Sequence, residues 1–185
     1  MMALSALSDE LMRAEGMMMQ DQNDEALELL LRLAEDAEEY VDCNCQTTDE
    51  LQYFAFPTLF DRLAYRRVEN DPRKLEDVHE PFDRLYGDLA MAYVRTGDYE
   101  NAMNALKTAI RWNPMNCGFR LDLADLFKIA GDIREYIALT FGVFERASEA
   151  RHLTRAFLNF AAWFEAQGRL EQAAACLRAA RRFEV

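Results

Sequence analysis

Residues Tyr86–Pro114 read YGDLAMAYVRTGDYENAMNALKTAIRWNP, and this stretch decides the fold. Tyr86, Leu89, Ala90 and Tyr93 stand at helical spacing; Gly97-Asp98 interrupts them; Ala102, Leu106 and Ala109 resume the spacing until Pro114. The pattern predicts two antiparallel helices. Small Ala90 and Ala102 let their backbones approach, while Tyr93 and Leu106 fill the wider space beside them. Gly97 supplies a left-handed cap to the first helix, and Asp98 accepts a hydrogen bond from the first turn of the second. Pro114 stops that helix.

Working outward, the turn glycine recurs. Gly97-Asp98-Tyr99 is followed 34 residues later by Gly131-Asp132-Ile133, and 37 residues after that by Gly168-Arg169-Leu170. Leu123, Ala124 and Phe127, then Phe160, Ala161 and Phe164, take the places of Leu89, Ala90 and Tyr93; Ala173, Leu177 and Ala180 take those of Ala102, Leu106 and Ala109. Glu135, three residues after Asp132, fits a capping box. The middle unit departs from the pattern. Tyr136 stands where a small residue is expected and Thr140 where a large apolar one is, which predicts splayed or shifted helices. The three extra residues before Gly168 predict a longer second helix in that unit, around Ala147 to His152.

These residues are similar to the W-x2-L-G-x2-Y…A-x3-F…P pattern of the tetratricopeptide repeat (TPR), with Tyr86 for Trp, Ala90 for Gly and Leu106 for Phe. The chain resembles a TPR protein. The resemblance implies an all-α fold, a right-handed superhelical array of antiparallel helix pairs, with three clear repeats at about 83–116, 117–153 and 154–185. It implies a non-enzymatic interaction module or adaptor that binds another protein or a peptide segment in a concave groove. In such proteins the groove is lined by the stripe of each first helix that faces away from its partner helix. Here that stripe is Arg84, Asp88, Met91 and Arg95, then Leu121, Asp122, Asp125 and Lys128, then Arg155, Asn159, Ala162 and Glu165. The groove is expected to be polar and mixed in sign, and Arg84, Arg95 and Arg155 are candidates to grip an acidic peptide. Gly87 and Met91 stand where chaperone-binding TPR domains carry the Lys and Asn that hold a C-terminal carboxylate, which argues against a chaperone partner.

Before the repeats, Leu4, Leu7, Leu11, Ala14 and Met18 form one apolar helical stripe, and Ala26, Leu30, Leu33, Ala37 and Tyr40 form another. The polar turn Gln20 to Asp24 separates them. Residues 1–47 thus read as a degenerate helix pair, with Ala14 and Met17 in the places of Ala90 and Tyr93, and with Met17 to Met19 as core filler rather than a binding surface. Residues 48–80 break the period and read as a non-repeat helix with a connector. Thr48 is a candidate N-cap. Pro57 opens a helix that shows Leu59, Leu63 and Tyr65 in helical spacing and ends at Asn70-Asp71-Pro72; Lys74 to Glu80 connects it to the array. Tyr53, Phe54, Phe56 and Phe60 are expected to pack rather than to form an exposed shelf. Residues 81–185 hold the three repeats, and the whole is expected to form one continuous domain.

Charge is uneven. Residues 1–50 carry 14 acidic and two basic side chains, the whole net charge of −12, while residues 51–185 balance 19 of each. A strongly negative N-terminal pair is a solvated face or a docking surface for a basic partner, and it argues against nucleic acid. At 51% apolar composition the chain can bury a substantial core, and with no apolar run of membrane-spanning length and no leader pattern a cytoplasmic location is expected. Two thiolates at Cys43 and Cys45, even with Asp42 and Asp49 nearby, are short of a four-ligand zinc site; they read as loop cysteines, and no metal or cofactor is expected. His79 and His152 are the only histidines and lie in no nucleophile or ligand constellation, so both read as surface residues and no enzyme is expected. The helix Leu170 to Phe183 exposes Ala174, Ala175, Ala179 and Phe183, which suggests a homodimer through this end, a self-associating scaffold being the alternative function.

Overall fold

The computed structural model of the chain describes residues 4–183. They fall into two compact units that divide after Pro114.

In the first unit, helices α1 (Leu4–Met19) and α2 (Asn23–Asn44) form a hairpin. On α1, Leu7, Leu11, Ala14 and Met18 are all buried; on α2, Ala26, Leu30, Leu33 and Ala37 are. The predicted stripes are therefore the packing faces, apart from Tyr40, which is 39% exposed, and Leu4, whose side chain lies outside the described residues. Of the methionine run only Met18 is core; Met19 is 82% exposed. Helices α4 (Phe82–Thr96) and α5 (Tyr99–Trp112) form the second hairpin of this unit, with Leu89, Ala90, Ala102, Leu106 and Ala109 buried between and behind them. Each buried leucine of this kind stabilises the fold by about 1.5–3 kcal/mol. Gly97 takes φ +83° and the Asp98 carboxylate accepts from Asn101 N–H at 3.1 Å, so the turn is built as the sequence predicts. α4 packs on α1, α2 and α5.

Between the hairpins lies a unit that the sequence reading misses. Strands β1 (Leu51–Phe54) and β2 (Lys74–Asp77) pair in parallel, Leu51 opposite Lys74 and Phe54 opposite Asp77, with helix α3 (Leu59–Glu69) crossing between them. The connector read at Lys74 to Glu80 is thus half strand. Thr48 caps no helix: it makes a turn with Leu51 and accepts from Glu50 N–H, and the N-cap of α3 is Thr58, whose hydroxyl oxygen accepts from Asp61 N–H at 3.1 Å. Asn70 ends α3 in a left-handed conformation. The stripe Leu59, Leu63 and Tyr65 does not face one way. Tyr65 packs into a cluster with Phe54 and Phe56, ring centroids 4.6–5.6 Å apart, while Leu59, Phe60 and Leu63 are 59–70% exposed. A buried polar knot ties the ends of the strands together. Arg73 donates to both oxygens of Asp71 and, at 2.9 Å, to Gln52 Oε1, and the Tyr65 hydroxyl donates to Asp71 at 2.7 Å.

The second unit repeats the hairpin-on-hairpin plan. Helices α6 (Cys117–Ile129) and α7 (Ile133–Arg146) pair, α8 (Ala150–Ala166) and α9 (Leu170–Ala180) pair, and α8 packs on both α6 and α7. This is the order of contacts that α1, α2, α4 and α5 make in the first unit. Gly131 and Gly168 take φ +82° and +72°, and Asp132 caps α7 through Glu135 N–H at 3.1 Å. The reciprocal half of a capping box is absent, since the Asp132 N–H donates to the Phe127 carbonyl instead. Tyr136 and Thr140 are both buried: the Thr140 hydroxyl donates to the Tyr136 carbonyl at 2.8 Å and accepts from Asn159 Nδ2, and the Tyr136 hydroxyl donates to the Asn159 carbonyl. The extra residues do not lengthen α7, which has the same 14 residues as α5; they add to the start of α8, which reaches 17. Ala147 turns extended and ends α7, so the surplus enters the next helix. Leu177, in register with buried Leu106, is 46% exposed.

Candidate functional site

The expected groove stripe is a helix face, and α4 shows what that face does. Arg84 reaches α1, donating to one oxygen of Glu15 through Nε at 2.9 Å and Nη2 at 2.7 Å. Asp88 lies one turn further along α4, its Oδ2 3.9 Å from Arg84 Nε and without a hydrogen bond among the described residues. Burial, and then the neighbouring Glu15 charge, push the Asp88 carboxyl up to about 7. Arg95, near the end of α4, donates at 3.0 Å to the Met18 carbonyl, which also accepts from Asp21 N–H, and lies 3.7 Å from Asp21. Met91 alone of the four stands clear, 49% exposed.

The second unit builds a similar clasp from other residues. Arg155 on α8 donates to Asp125 at 2.6 Å and pairs with Asp122 at 2.7 Å, both on α6. Lys128 sits over the Tyr136 ring, 5.3 Å from its centroid, and remains exposed. Ala162 and Glu165 are exposed. Two expected groove residues leave the surface. Leu121 is fully buried in a core with Cys117, Val143 and Ala156, because its turn of α6 faces Ala156 on α8. Asn159 is half-buried and committed to Thr140. The three arginines expected to be ready for an acidic peptide are all engaged within the fold, each with at least one carboxylate.

The residues considered for chemistry are dispersed. His79 is exposed, 3.7 Å from Asp77. His152 is not a surface residue: its side chain is 12% exposed in the first turn of α8, and burial lowers its pKa. Cys43 ends α2 in the open, whereas Cys45 is buried, its thiol pKa raised by burial, so the pair does not present two loop thiolates together. Among the described residues no group of three or more His, Cys, Asp or Glu comes together to hold a metal. No helix among them is long and apolar enough to cross a membrane. The sequence reading also missed Asp83, which is buried and accepts from Asn113 Nδ2 at 2.9 Å; burial raises its pKa. An acidic residue in a helix's first turn ordinarily reads as a dipole partner in solvent, so nothing in the pattern flags it.

The tetratricopeptide repeat model matches residues 83–116, which contain α4 and α5. No curated protein matches the chain. Among solved structures it is similar to a crystal structure of MamA, 13% identical over 92% of this chain and 93% of that one, with a TM-score of 0.46. It is also similar to a mutant of MamA, 17% identical over 96% and 97% with a TM-score of 0.43, and to MamA AMB-1, 17% identical over 95% and 90% with a TM-score of 0.42. Residues 83–116 thus carry one match to the tetratricopeptide repeat, and hairpins with the same left-handed turn glycine recur at Gly131 and Gly168.

Proposed function

We propose that the chain is a non-enzymatic adaptor that holds a segment of another protein against exposed helix stripes, that of α4 in the first unit and, separately, those of α6 and α8 in the second. The reading is supported above all by the way the charges on these stripes are pinned. Arg84 and Arg155 are fixed by their carboxylate partners, so the surface beside Met91 in the first unit, and that beside Lys128, Ala162 and Glu165 in the second, are each ordered before anything binds. A preordered surface loses less side-chain entropy on association, and repeat arrays serve as extended binding surfaces. Because each arginine is already neutralised, the surface suits a polar or mildly basic segment better than an acidic one. A photo-crosslinking residue placed at Met91 tests this, with the exposed Asn104 on α5 as the control position. The reading expects a discrete crosslinked partner from Met91 only; equal products from both positions would overturn it.

A second reading is favoured by one observation. Leu170 and Leu177 on α9 lie seven residues apart on one face, 66% and 46% exposed, with Ala174 between them. Self-association through that face would cover them. Light scattering on Leu170→Glu, Leu177→Glu against wild type decides it: a dimer reduced to monomer supports the reading, and a monomeric wild type sinks it.

A further inference from the structure

A cavity of about 430 Å3 opens in the first unit against the second half of α2 and the chain just before α4. Its depth is apolar. Leu7, Leu33, Ala37 and Phe82 line it and are each 3–5% exposed. Its mouth is acidic and aromatic. Leu33, Ala37, Tyr40 and Asn44 lie along one stripe of α2, which brings Tyr40 to the cavity edge, where its ring meets Phe82 edge-on at 6.0 Å. Asp36 and Glu39, exposed on the adjoining turns, and Glu80 complete the lining.

Glu80 is the group that gives the cavity its chemistry. Its Oε2 is occluded from solvent and has no hydrogen-bond partner among the described residues. A carboxylate so placed carries an unrelieved desolvation cost, which burial expresses by raising its pKa. Elsewhere in this unit Asp71 has Arg73, Glu15 has Arg84 and Asp83 has Asn113, while Asp88, whose Oδ2 also lacks a hydrogen bond, has Arg84 at 3.9 Å. Glu80 lines an open cavity together with an aromatic pair and two more carboxylates.

We propose that this cavity is a binding site for an extended organic cation, the alkyl-guanidinium or alkyl-ammonium side chain of a basic protein segment. The methylene stem would lie on Leu33, Ala37 and Phe82, and the charged head would face Glu80, Asp36 and Glu39 beside the Tyr40 ring. Each part of the ligand then meets the surface that suits it: apolar stem on apolar floor, cation on carboxylate and aromatic edge. The net charge of −12 carried by residues 1–50 draws such a segment toward this hairpin. The site is separate from the stripe of α4 and stands whether or not that stripe binds a partner.

The test is a 15N-resolved NMR titration of the whole chain at fixed ionic strength and pH 7.5, with n-butylguanidinium and with n-butylurea, its neutral isostere. The proposal expects saturable shifts at Tyr40, Cys43, Asn44 and Phe82 with the cation and none with the urea. Glu80→Gln should weaken the cation by about tenfold, the loss of one charge-assisted contact. Removing an unpartnered buried charge should leave the fold intact; should Glu80→Gln nonetheless fail to fold, the exposed Glu39→Gln must weaken the cation by about twofold. Equal shifts from both ligands, no shifts from either, or an unchanged affinity in the folded variant would each overturn the proposal.

Discussion

The Arg84 guanidinium on α4 binds one oxygen of Glu15 on α1 through both Nε and Nη2. Arg155 does the same kind of work on α8, gripping Asp122 and Asp125 on α6. Both arginines stand thirteen residues before the turn glycine of their own hairpin, Gly97 and Gly168, so one position of the repeat ties each hairpin to the first helix of the one before it.

A double-mutant cycle on Arg84→Ala and Glu15→Ala measures this tie. Both side chains are about a third exposed, so a coupling of about 0.5–1.5 kcal/mol is expected from urea unfolding, shrinking as salt is raised. A coupling of zero at low salt would reduce the pair to a surface coincidence.

Asp88 makes the same clasp sensitive to pH. Its carboxyl is raised from the ordinary 3.8 to about 7, so between those values the folded chain holds a proton that the unfolded chain has released. Its contribution is fully present below about pH 4, falls as pH rises through about 7, and is level above that. Asp88→Asn, which keeps the shape and removes the ionisation, should flatten the pH dependence and stabilise the chain at pH 8 by about 1–3 kcal/mol. A wild-type and variant stability difference that does not change from pH 4 to 8 would refute this.

The knot at Asp71 holds the strand unit closed. Its side chain is 6% exposed and accepts from both Arg73 and Tyr65, and Arg73 holds its carboxyl well below the usual carboxylate range. Asp71→Ala leaves Arg73 and the Tyr65 hydroxyl without their acceptor and should cost about 2–4 kcal/mol. Tyr65→Phe, which removes one hydrogen bond, should cost about 1 kcal/mol. Thermal unfolding of the two variants gives the comparison, and a Tyr65→Phe loss as large as that of Asp71→Ala would contradict the assignment.

Gly131 tests the turn. It takes φ +82°, and an added Cβ would meet nothing within 4 Å, so the penalty for Gly131→Ala is conformational alone, about 1–2 kcal/mol. Gly16 sits within helix α1, where alanine also meets open space and helix propensity favours it by about 1 kcal/mol. Opposite signs in chemical denaturation are expected from the two substitutions.

The hairpins were legible because their signal is local. A turn glycine, an aspartate after it and small residues at fixed offsets each have one physical use in a helix pair, and all of them recur. The strands were illegible for an equally specific reason. β1 buries Gln52 and Phe54, so its inward face shows one polar and one apolar residue, and β2 has only Leu75 as an apolar signal; both strands are four residues long. What makes Gln52 acceptable inside is Arg73, 21 residues away, and no local pattern reveals that. On α4 the spacing marks the stripe Arg84, Asp88, Met91 and Arg95, but it does not say that Arg84 and Arg95 are held by α1, or that on α6 Leu121 turns into the core. Those outcomes depend on which helix packs alongside.

The central claim, an adaptor surface on these helix stripes, is tested most directly by a quantitative affinity pull-down from the source cell's lysate. Wild type is compared with a Met91→Glu, Lys128→Glu variant whose fold is confirmed by circular dichroism, both positions being exposed. The account predicts a distinct protein enriched by wild type and lost from the variant. Equal recovery of that protein by both baits, or recovery of nothing but the chain itself, would contradict it.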